Sequence, residues 1–250
     1  MKRSARYLCL LLLFALPVVA QEAVAAKPAP LPEAGMSQSG EEIWADLMLG
    51  NKRFMAGESQ HTDLVPLRQK LVQGQHPKVI VLACSDSRVA PEILFDKSLG
   101  DLFVVRAAGN IADAIGVGSI EYAVEHLGSS VLVVLGHEKC GAVTAACSEE
   151  KMPTPNLQAI VDKINPAVLR AKPHSKPEDL VDTAIRENVH QSAQDIMRTS
   201  AVLREALQSG KLTVVEAVYK LASGEVVRLD KLSLIVPAFK LDVGDVMRAP

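Results

Sequence analysis

The sequence is poor in aromatic residues and has no excess of charge of either sign. Phe, Trp and Tyr make up 4% of its 250 residues, and 27 basic residues stand against 29 acidic ones, a formal net charge of −2. Nucleic-acid surfaces need clustered cations and, for single strands, stacking aromatics. We therefore expect no nucleic-acid partner. The hydrophobic share of 48% is enough for one sizeable α/β core.

The chain has no long hydrophobic run except near its N-terminus. Residues 7–20 are almost wholly apolar, follow three basic residues and end in Val18-Val19-Ala20. This order is typical of a cleavable signal peptide, and the run is too short for a comfortable membrane span. We predict a signal peptide at 1–20, a periplasmic or secreted protein, and no stable membrane insertion after cleavage. An uncleaved N-terminal anchor is the alternative.

Proline and glycine recur among Ala, Ser and Gln in residues 21–40, which is the composition of a flexible linker. The composition from residue 41 onward is that of a globular protein. We therefore predict that residues 41–250 form a single α/β domain.

Short runs of β-branched and aliphatic residues alternate with helical patterns in this domain. Such alternation predicts a mainly parallel β-sheet flanked by helices, and a closing hairpin adds an antiparallel edge strand. The predicted strands are 79–83, 102–106, 131–135, 212–221 and 225–229.

Three later segments are harder to interpret. Residues 148–179 contain five prolines and predict a loop-rich insertion with one short helix. Residues 183–209 predict one long amphipathic helix. Residues 231–250 are apolar without a clean period, and we assign them no structure.

Cysteine is scarce, and no Cys-x-x-Cys pair is present. Apart from Cys9 in the apolar run, the cysteines are Cys84, Cys140 and Cys147. An odd number cannot all enter disulfides, and the missing Cys-x-x-Cys argues against a thiol redox protein. Two metal thiolates, Cys84 and Cys140, with one buried core thiol, Cys147, is a consistent division.

Polar residues follow two of the predicted strands at the point where each ends. Cys84 comes after the first strand, and His137 and Cys140 come after the third. Ligands in parallel sheets bind beyond the carboxyl ends of the strands, so these side chains converge if the two strands are neighbours. Two thiolates and one imidazole form a three-ligand zinc set with a position left for water.

Asp86 and Arg88 lie just beyond Cys84. Asp86 could accept a hydrogen bond from metal-bound water or could ligate the metal itself. Arg88 can keep that carboxylate ionised through a charge-assisted pair. The alternative for this pair is a surface ion pair at a helix start.

The motifs C-S-D-S-R-V at 84–89 and G-H-E-K-C-G-A-V at 136–143 closely resemble the β-class carbonic anhydrases. The resemblance covers roughly residues 41–230. It implies a lyase that interconverts carbon dioxide and bicarbonate, with one Zn²⁺ per chain. It also implies a homodimer or tetramer with active sites at the dimer interface. The predicted domain at 41–250 would then be a zinc-enzyme domain.

The resemblance assigns roles by position. Cys84, His137 and Cys140 match the zinc ligands, and Asp86 with Arg88 matches the catalytic dyad. The substrate-binding positions it implies are Gln75, which reaches substrate across the dimer, the pocket wall of Phe103 and Tyr122, Ala108 in place of a larger aliphatic, and Gly141 behind the last ligand.

Val81 stands where the allosteric subgroup carries a tryptophan, so the resemblance points to the plant-type, non-allosteric subgroup. The implied mechanism is attack of zinc-bound hydroxide on carbon dioxide, with the Asp-Arg dyad assisting. No histidine can be assigned as proton shuttle from the sequence. Two alternatives remain open: a hydrolase of carbonyl sulfide or carbon disulfide on the same fold, and a catalytically silent zinc-binding module.

Overall fold

Five strands form one sheet, and the computed structural model describes it within residues 38–148 and 150–229. The strands are β1 (Val79–Ala83), β2 (Leu102–Arg106), β3 (Val131–His137), β4 (Thr213–Tyr219) and β5 (Val226–Arg228), in the order β2-β1-β3-β4-β5. The first four strands run parallel, and β5 pairs antiparallel to β4. The predicted α/β class with an antiparallel edge strand is confirmed.

The two strands that precede the metal-capable residues are neighbours. Ala83 at the end of β1 is in register with Leu135 of β3. Both strands are buried along their whole length, which explains their continuous apolar sequences.

Helices cover both faces of this sheet. They are α1 (Gly40–Ala56), α2 (Leu64–Leu71), α3 (Pro91–Leu94), α4 (Ala114–Leu127), α5 (Gly141–Ser148), α6 (Pro155–Ala171), α7 (Leu180–Thr199) and α8 (Ala201–Gln208). Residues of α4 to α8 pack on one face, around side chains such as Leu82 and Leu132. Residues of α1 and α3 pack on the other, around Val81 and Val133.

Asn51 of α1 links this helix to α3 and to the hairpin between β4 and β5. Its side-chain amide donates to the carbonyl oxygens of Leu94 (3.0 Å) and Gly224 (2.8 Å), and its carbonyl oxygen accepts from the Val226 N–H at 2.9 Å. Buried polar groups are stabilising when all their hydrogen bonds are made. Asn51 therefore fixes α1 against α3 and the closing hairpin.

The interpretation of residues 148–179 was wrong. Most of this segment is the 17-residue helix α6, which begins with Pro155 after the capping residue Thr154. Proline is favoured at the first helical position because its missing N–H would be unpaired there anyway. The apolar positions Val161, Ile164 and Val168 repeat at helical spacing and are buried.

The long helix predicted at 183–209 is two helices. The break lies at Ser200, whose backbone is extended and whose hydroxyl accepts a hydrogen bond from the Leu203 N–H at 3.1 Å. Ser200 thus starts α8 as its capping residue. No helix among the described residues is long and apolar enough to cross a membrane. The predicted signal peptide at 1–20 and the segment 231–250 lie outside the described residues, as does nearly all of the predicted linker.

Candidate metal centre

Cys84, His137 and Cys140 meet at the carboxyl ends of β1 and β3. Their candidate ligand atoms all lie within 4.8 Å of one another, and all three residues are buried. Cys84 follows the last residue of β1, and His137 is the last residue of β3. Lys139, with φ 52°, adopts the left-handed conformation that turns the chain and brings Cys140 back toward His137. The convergence predicted from the strand ends is confirmed.

One nitrogen of His137 is free to bind a metal. Its Nδ1 lies 2.9 Å from the carbonyl oxygen of Glu138. A carbonyl oxygen only accepts, so Nδ1 carries the proton and Nε2 of the neutral ring presents a lone pair. Nε2 is buried and has no hydrogen-bond partner within the part of the chain that the structure describes. An outer hydrogen bond of this kind orients metal-binding imidazoles in known sites.

The Cys84 and Cys140 thiols interact with each other. A hydrogen bond from Cys140 lowers the pKa of Cys84 to about 4 and raises the pKa of Cys140. The Gly109 N–H also donates to Cys84 Sγ, at 3.2 Å. The site therefore already stabilises one thiolate, and a divalent cation would displace the remaining proton.

This donor set fits zinc. Two soft thiolates and one imidazole are the ligand types that Zn²⁺ prefers, and three protein ligands are typical of catalytic sites with one open position. A bound metal would also give a partner to the buried lone pair of His137 Nε2, which has no hydrogen-bond partner among the described residues. Cys84, His137 and Cys140 would hold the ion.

Asp86 lies beside the three ligands and is held by Arg88 through a two-point contact. Arg88 Nε donates to Asp86 Oδ1 at 2.9 Å and Nη2 donates to Oδ2 at 2.7 Å. These bonds hold the pKa of the Asp86 carboxyl well below its usual range. Its Oδ2 lies 3.9 Å from His137 Nε2, too far for a hydrogen bond but close enough to face whatever binds there.

The two aromatic residues expected to line a pocket, Phe103 and Tyr122, lie in a row with His126. The ring centroids of Phe103 and Tyr122 are 6.4 Å apart, and those of Tyr122 and His126 are 5.1 Å apart. Ala108 begins a short 3-10 turn after β2, and Gly141 is the first residue of α5.

Comparison with known proteins identifies the family. A family model described as carbonic anhydrase matches residues 79–226. Carbonic anhydrase 2 of Mycobacterium tuberculosis is 39% identical over 196 residues, covering 77% of this chain and 94% of that protein. The carbonic anhydrase of Mycolicibacterium smegmatis is also 39% identical, covering 73% and 90%. The β-carbonic anhydrase CafA of Aspergillus fumigatus has a TM-score of 0.62 at 27% identity, covering 75% of this chain and 91% of that one.

This chain belongs to the β-class carbonic anhydrases. The structure of this carbonic anhydrase brings together five of the residues predicted from the sequence: Cys84, Asp86, Arg88, His137 and Cys140. Gln75 is not among them, because it is exposed on the segment before β1, whereas Cys84 follows the strand. Five residues of strand separate the two positions, roughly 16 Å along the sheet.

Sequence reasoning missed two residues that hold the site of this carbonic anhydrase. Arg106, the last residue of β2, donates to the backbone carbonyl oxygens of Cys84 and Asp86 at 2.9 and 2.7 Å. Asn188 of α7 donates to the Gly109 carbonyl oxygen at 2.7 Å. The register of β1 with β2, which the structure reveals, places Arg106 opposite Ala83. No local pattern marks Asn188, which lies 79 residues from its partner.

Proposed function

We propose that this carbonic anhydrase catalyses zinc-dependent, reversible hydration of carbon dioxide to bicarbonate and a proton. Cys84, His137 and Cys140 would hold one Zn²⁺ per chain, and Asp86 with Arg88 would assist. The observation that carries this proposal is the buried convergence of the three ligand atoms, with the Asp86 carboxylate beside them.

A zinc ion bound here would act as a Lewis acid and bring the pKa of a bound water toward about 7. Two thiolates cancel the charge of the ion, so this acidification is weaker than with three neutral imidazoles. A further group must therefore help to prepare the nucleophile, and Asp86 is suited to this. Its low pKa keeps it ionised, so it accepts hydrogen bonds without donating them.

Asp86 can also orient the attacking water. Each carboxylate oxygen accepts more than one hydrogen bond, so Oδ2 keeps acceptor capacity after binding Arg88. Arg88 fixes the plane of the carboxylate by its two-point contact. Together, Asp86 and Arg88 would align a nucleophile for attack on carbon dioxide.

We further propose a homo-oligomer, a dimer or tetramer, in which Gln75 reaches substrate in a neighbouring protomer. Helix α2, which precedes Gln75, buries none of its residues in this chain. The exposed apolar side chains around it include Leu64, Val65 and Val72. Exposed apolar groups in one region favour contact with another protein surface. Phe103 and Tyr122 would complete the pocket wall.

The test is stopped-flow hydration of carbon dioxide by the purified protein, with bound zinc quantified on the same sample. We expect fast turnover at about one zinc per chain. Stoichiometric zinc without hydration between about pH 6.5 and 9 would contradict the proposal. Carbon disulfide and carbonyl sulfide would then be tried, since turnover of either would assign the alternative activity, and turnover of neither would indicate a silent zinc-binding module.

A further inference from the structure

The turn that carries both Cys84 and Asp86 is held from outside by one side chain. Arg106 Nε donates to the carbonyl oxygen of Cys84 at 2.9 Å, and its Nη2 donates to that of Asp86 at 2.7 Å. Within the turn, the Asp86 carbonyl oxygen also accepts from the Val89 N–H at 2.9 Å. The guanidinium therefore spans the segment that must place a metal ligand and a carboxylate together.

The sheet delivers Arg106 to this position. It ends β2 in register with Ala83, one strand spacing from the end of β1, and the Ala107 N–H donates to the Ala83 carbonyl oxygen at 3.1 Å. The planar guanidinium presents parallel donors at fixed spacing, which a lysine ammonium does not. Two neighbouring carbonyl oxygens are thus matched by two donors of one rigid group.

We propose that Arg106 is a positioning residue, which fixes the backbone of the turn so that the Asp86 carboxylate faces the three candidate ligand atoms. This inference rests on the proposed role of Asp86. Cys84 is also held in place by contacts other than Arg106, because it directly follows β1 and its Sγ accepts a hydrogen bond from the Gly109 N–H. Within the part of the chain that the structure describes, Asp86 makes its hydrogen bonds to groups of its own turn and to Arg106. Loss of Arg106 therefore displaces Asp86 more than it displaces Cys84.

The experiment is a double-mutant cycle between Arg106→Gln and Asp86→Asn, measured on samples with quantified zinc. We expect Arg106→Gln alone to keep about one zinc per chain and to lower kcat about 10- to 100-fold, since small misplacements of catalytic groups cost this much. In the Asp86→Asn background the same substitution should lower kcat less than about threefold, because two residues that act through one another are not additive. Arg106→Lys should retain an intermediate kcat, since one of the two hydrogen bonds can be kept.

A second readout does not depend on activity. The visible spectrum of the Co²⁺-substituted protein reports the surroundings of the metal. We expect Arg106→Gln to change this spectrum in the Asp86 background and to leave it unchanged in the Asp86→Asn background. The matched control is Arg204→Gln, because Arg204 Nη1 also donates to two backbone carbonyl oxygens, of Met197 at 2.6 Å and Arg198 at 3.4 Å, in the corner between α7 and α8. It should leave kcat and the Co²⁺ spectrum unchanged.

Three results would overturn the inference. The first is wild-type kcat in Arg106→Gln, and the second is an equal loss of kcat in both backgrounds, which indicates a general structural effect. If Arg106→Gln does not fold, wild-type kcat in Arg106→Lys is the third. Failure of the proposed function is distinguishable, because the zinc-loaded wild type would then show no hydration. Failure of the proposed role of Asp86 would instead appear as full activity in Asp86→Asn.

Discussion

Asn188 donates a 2.7 Å hydrogen bond to the carbonyl oxygen of Gly109, whose own N–H donates to Cys84 Sγ. A buried side chain of α7 therefore supports the residue that donates to the Sγ of Cys84, a candidate metal ligand. Gly109 has φ 69°, and a Cβ at this position would lie 2.7 Å from Ile164 Cδ1, so glycine is favoured here.

We predict that Asn188→Leu loosens the metal centre. The substitution leaves the buried Gly109 carbonyl oxygen without its donor, which costs about 1–3 kcal/mol of unfolding free energy. Loss of an outer-shell partner typically weakens metal affinity about 10- to 100-fold. Zinc transfer to a chromophoric chelator and thermal unfolding measure the two effects.

The matched control for Asn188 is Gln191→Leu on the same helix. Gln191 also donates from a buried amide to a backbone carbonyl oxygen, that of Lys163 at 2.8 Å, but on the side of α6. It should lose stability without faster zinc release. Equal zinc release from both variants would show that Asn188 has no special connection to Cys84.

The cysteines provide a second test of the metal centre. Cys140→Ser removes one of three ligands, and we expect zinc to fall well below one per chain. Cys147→Ser, which changes a free and partly exposed thiol on α5, should keep the full amount. Metal analysis after gel filtration checks both. Retention of full zinc in Cys140→Ser would contradict the three-ligand assignment.

A buried pair between α7 and β4 predicts a pH-dependent stability. His190 Nδ1 lies 3.2 Å from Glu216 Oε1, and both residues are buried. Burial raises the pKa of Glu216, and the neighbouring His190 opposes this rise. We expect His190→Gln to lower the unfolding free energy at pH 7 by about 3–5 kcal/mol, because it leaves a buried carboxylate without its partner.

The sign of the pH dependence follows from the carboxyl group. A raised folded-state pKa gives stability that is present below the unfolded-state pKa and is lost as the pH rises through the folded-state value. The loss caused by His190→Gln should therefore shrink as the pH falls toward 4.5, the ordinary pKa of this carboxyl. Urea unfolding at several pH values measures it, and a loss that is constant with pH would be the contrary result. The control is Lys220→Gln, which breaks the exposed pair with Glu225. It should lower the unfolding free energy by about 1 kcal/mol or less.

Export remains a prediction from the N-terminal sequence. If residues 1–20 are a signal peptide, the protein recovered from the periplasm or medium of an expressing bacterium begins at Gln21. Intact-mass measurement of that fraction tests this. A full-length mass in the membrane fraction would indicate the uncleaved anchor instead.

The ligand cluster was predictable because its ligands lie at the ends of strands that the sequence pattern reveals. Cys84 and His137 each follow a continuous apolar strand, and parallel strands bring their ends to one edge. Arg106 and Asn188 were not predictable in this way. Their partners are backbone carbonyl oxygens, which every residue has, so the contact depends on strand register and helix packing that the sequence does not display.

The errors in the helical region have a similar physical origin. Prolines often mark loops, but Pro155 lies at the first position of α6, where proline favours a helix. The helical spacing of Val161, Ile164 and Val168 was the stronger signal. The helix predicted at 183–209 has Ser200 in its interior, although serine is a favoured capping residue and starts α8 in the structure.

Hydration of carbon dioxide by Asp86→Ala, compared with the wild type at equal zinc content, tests the central claim most directly. The ligands do not include Asp86, so we predict about one zinc per chain and a loss of at least about 100-fold in kcat, the range for a positioned acid–base group. Asp46→Ala should retain wild-type kcat. It removes an exposed carboxylate of α1 that is paired with Lys97. Near-full turnover by zinc-loaded Asp86→Ala would contradict the account.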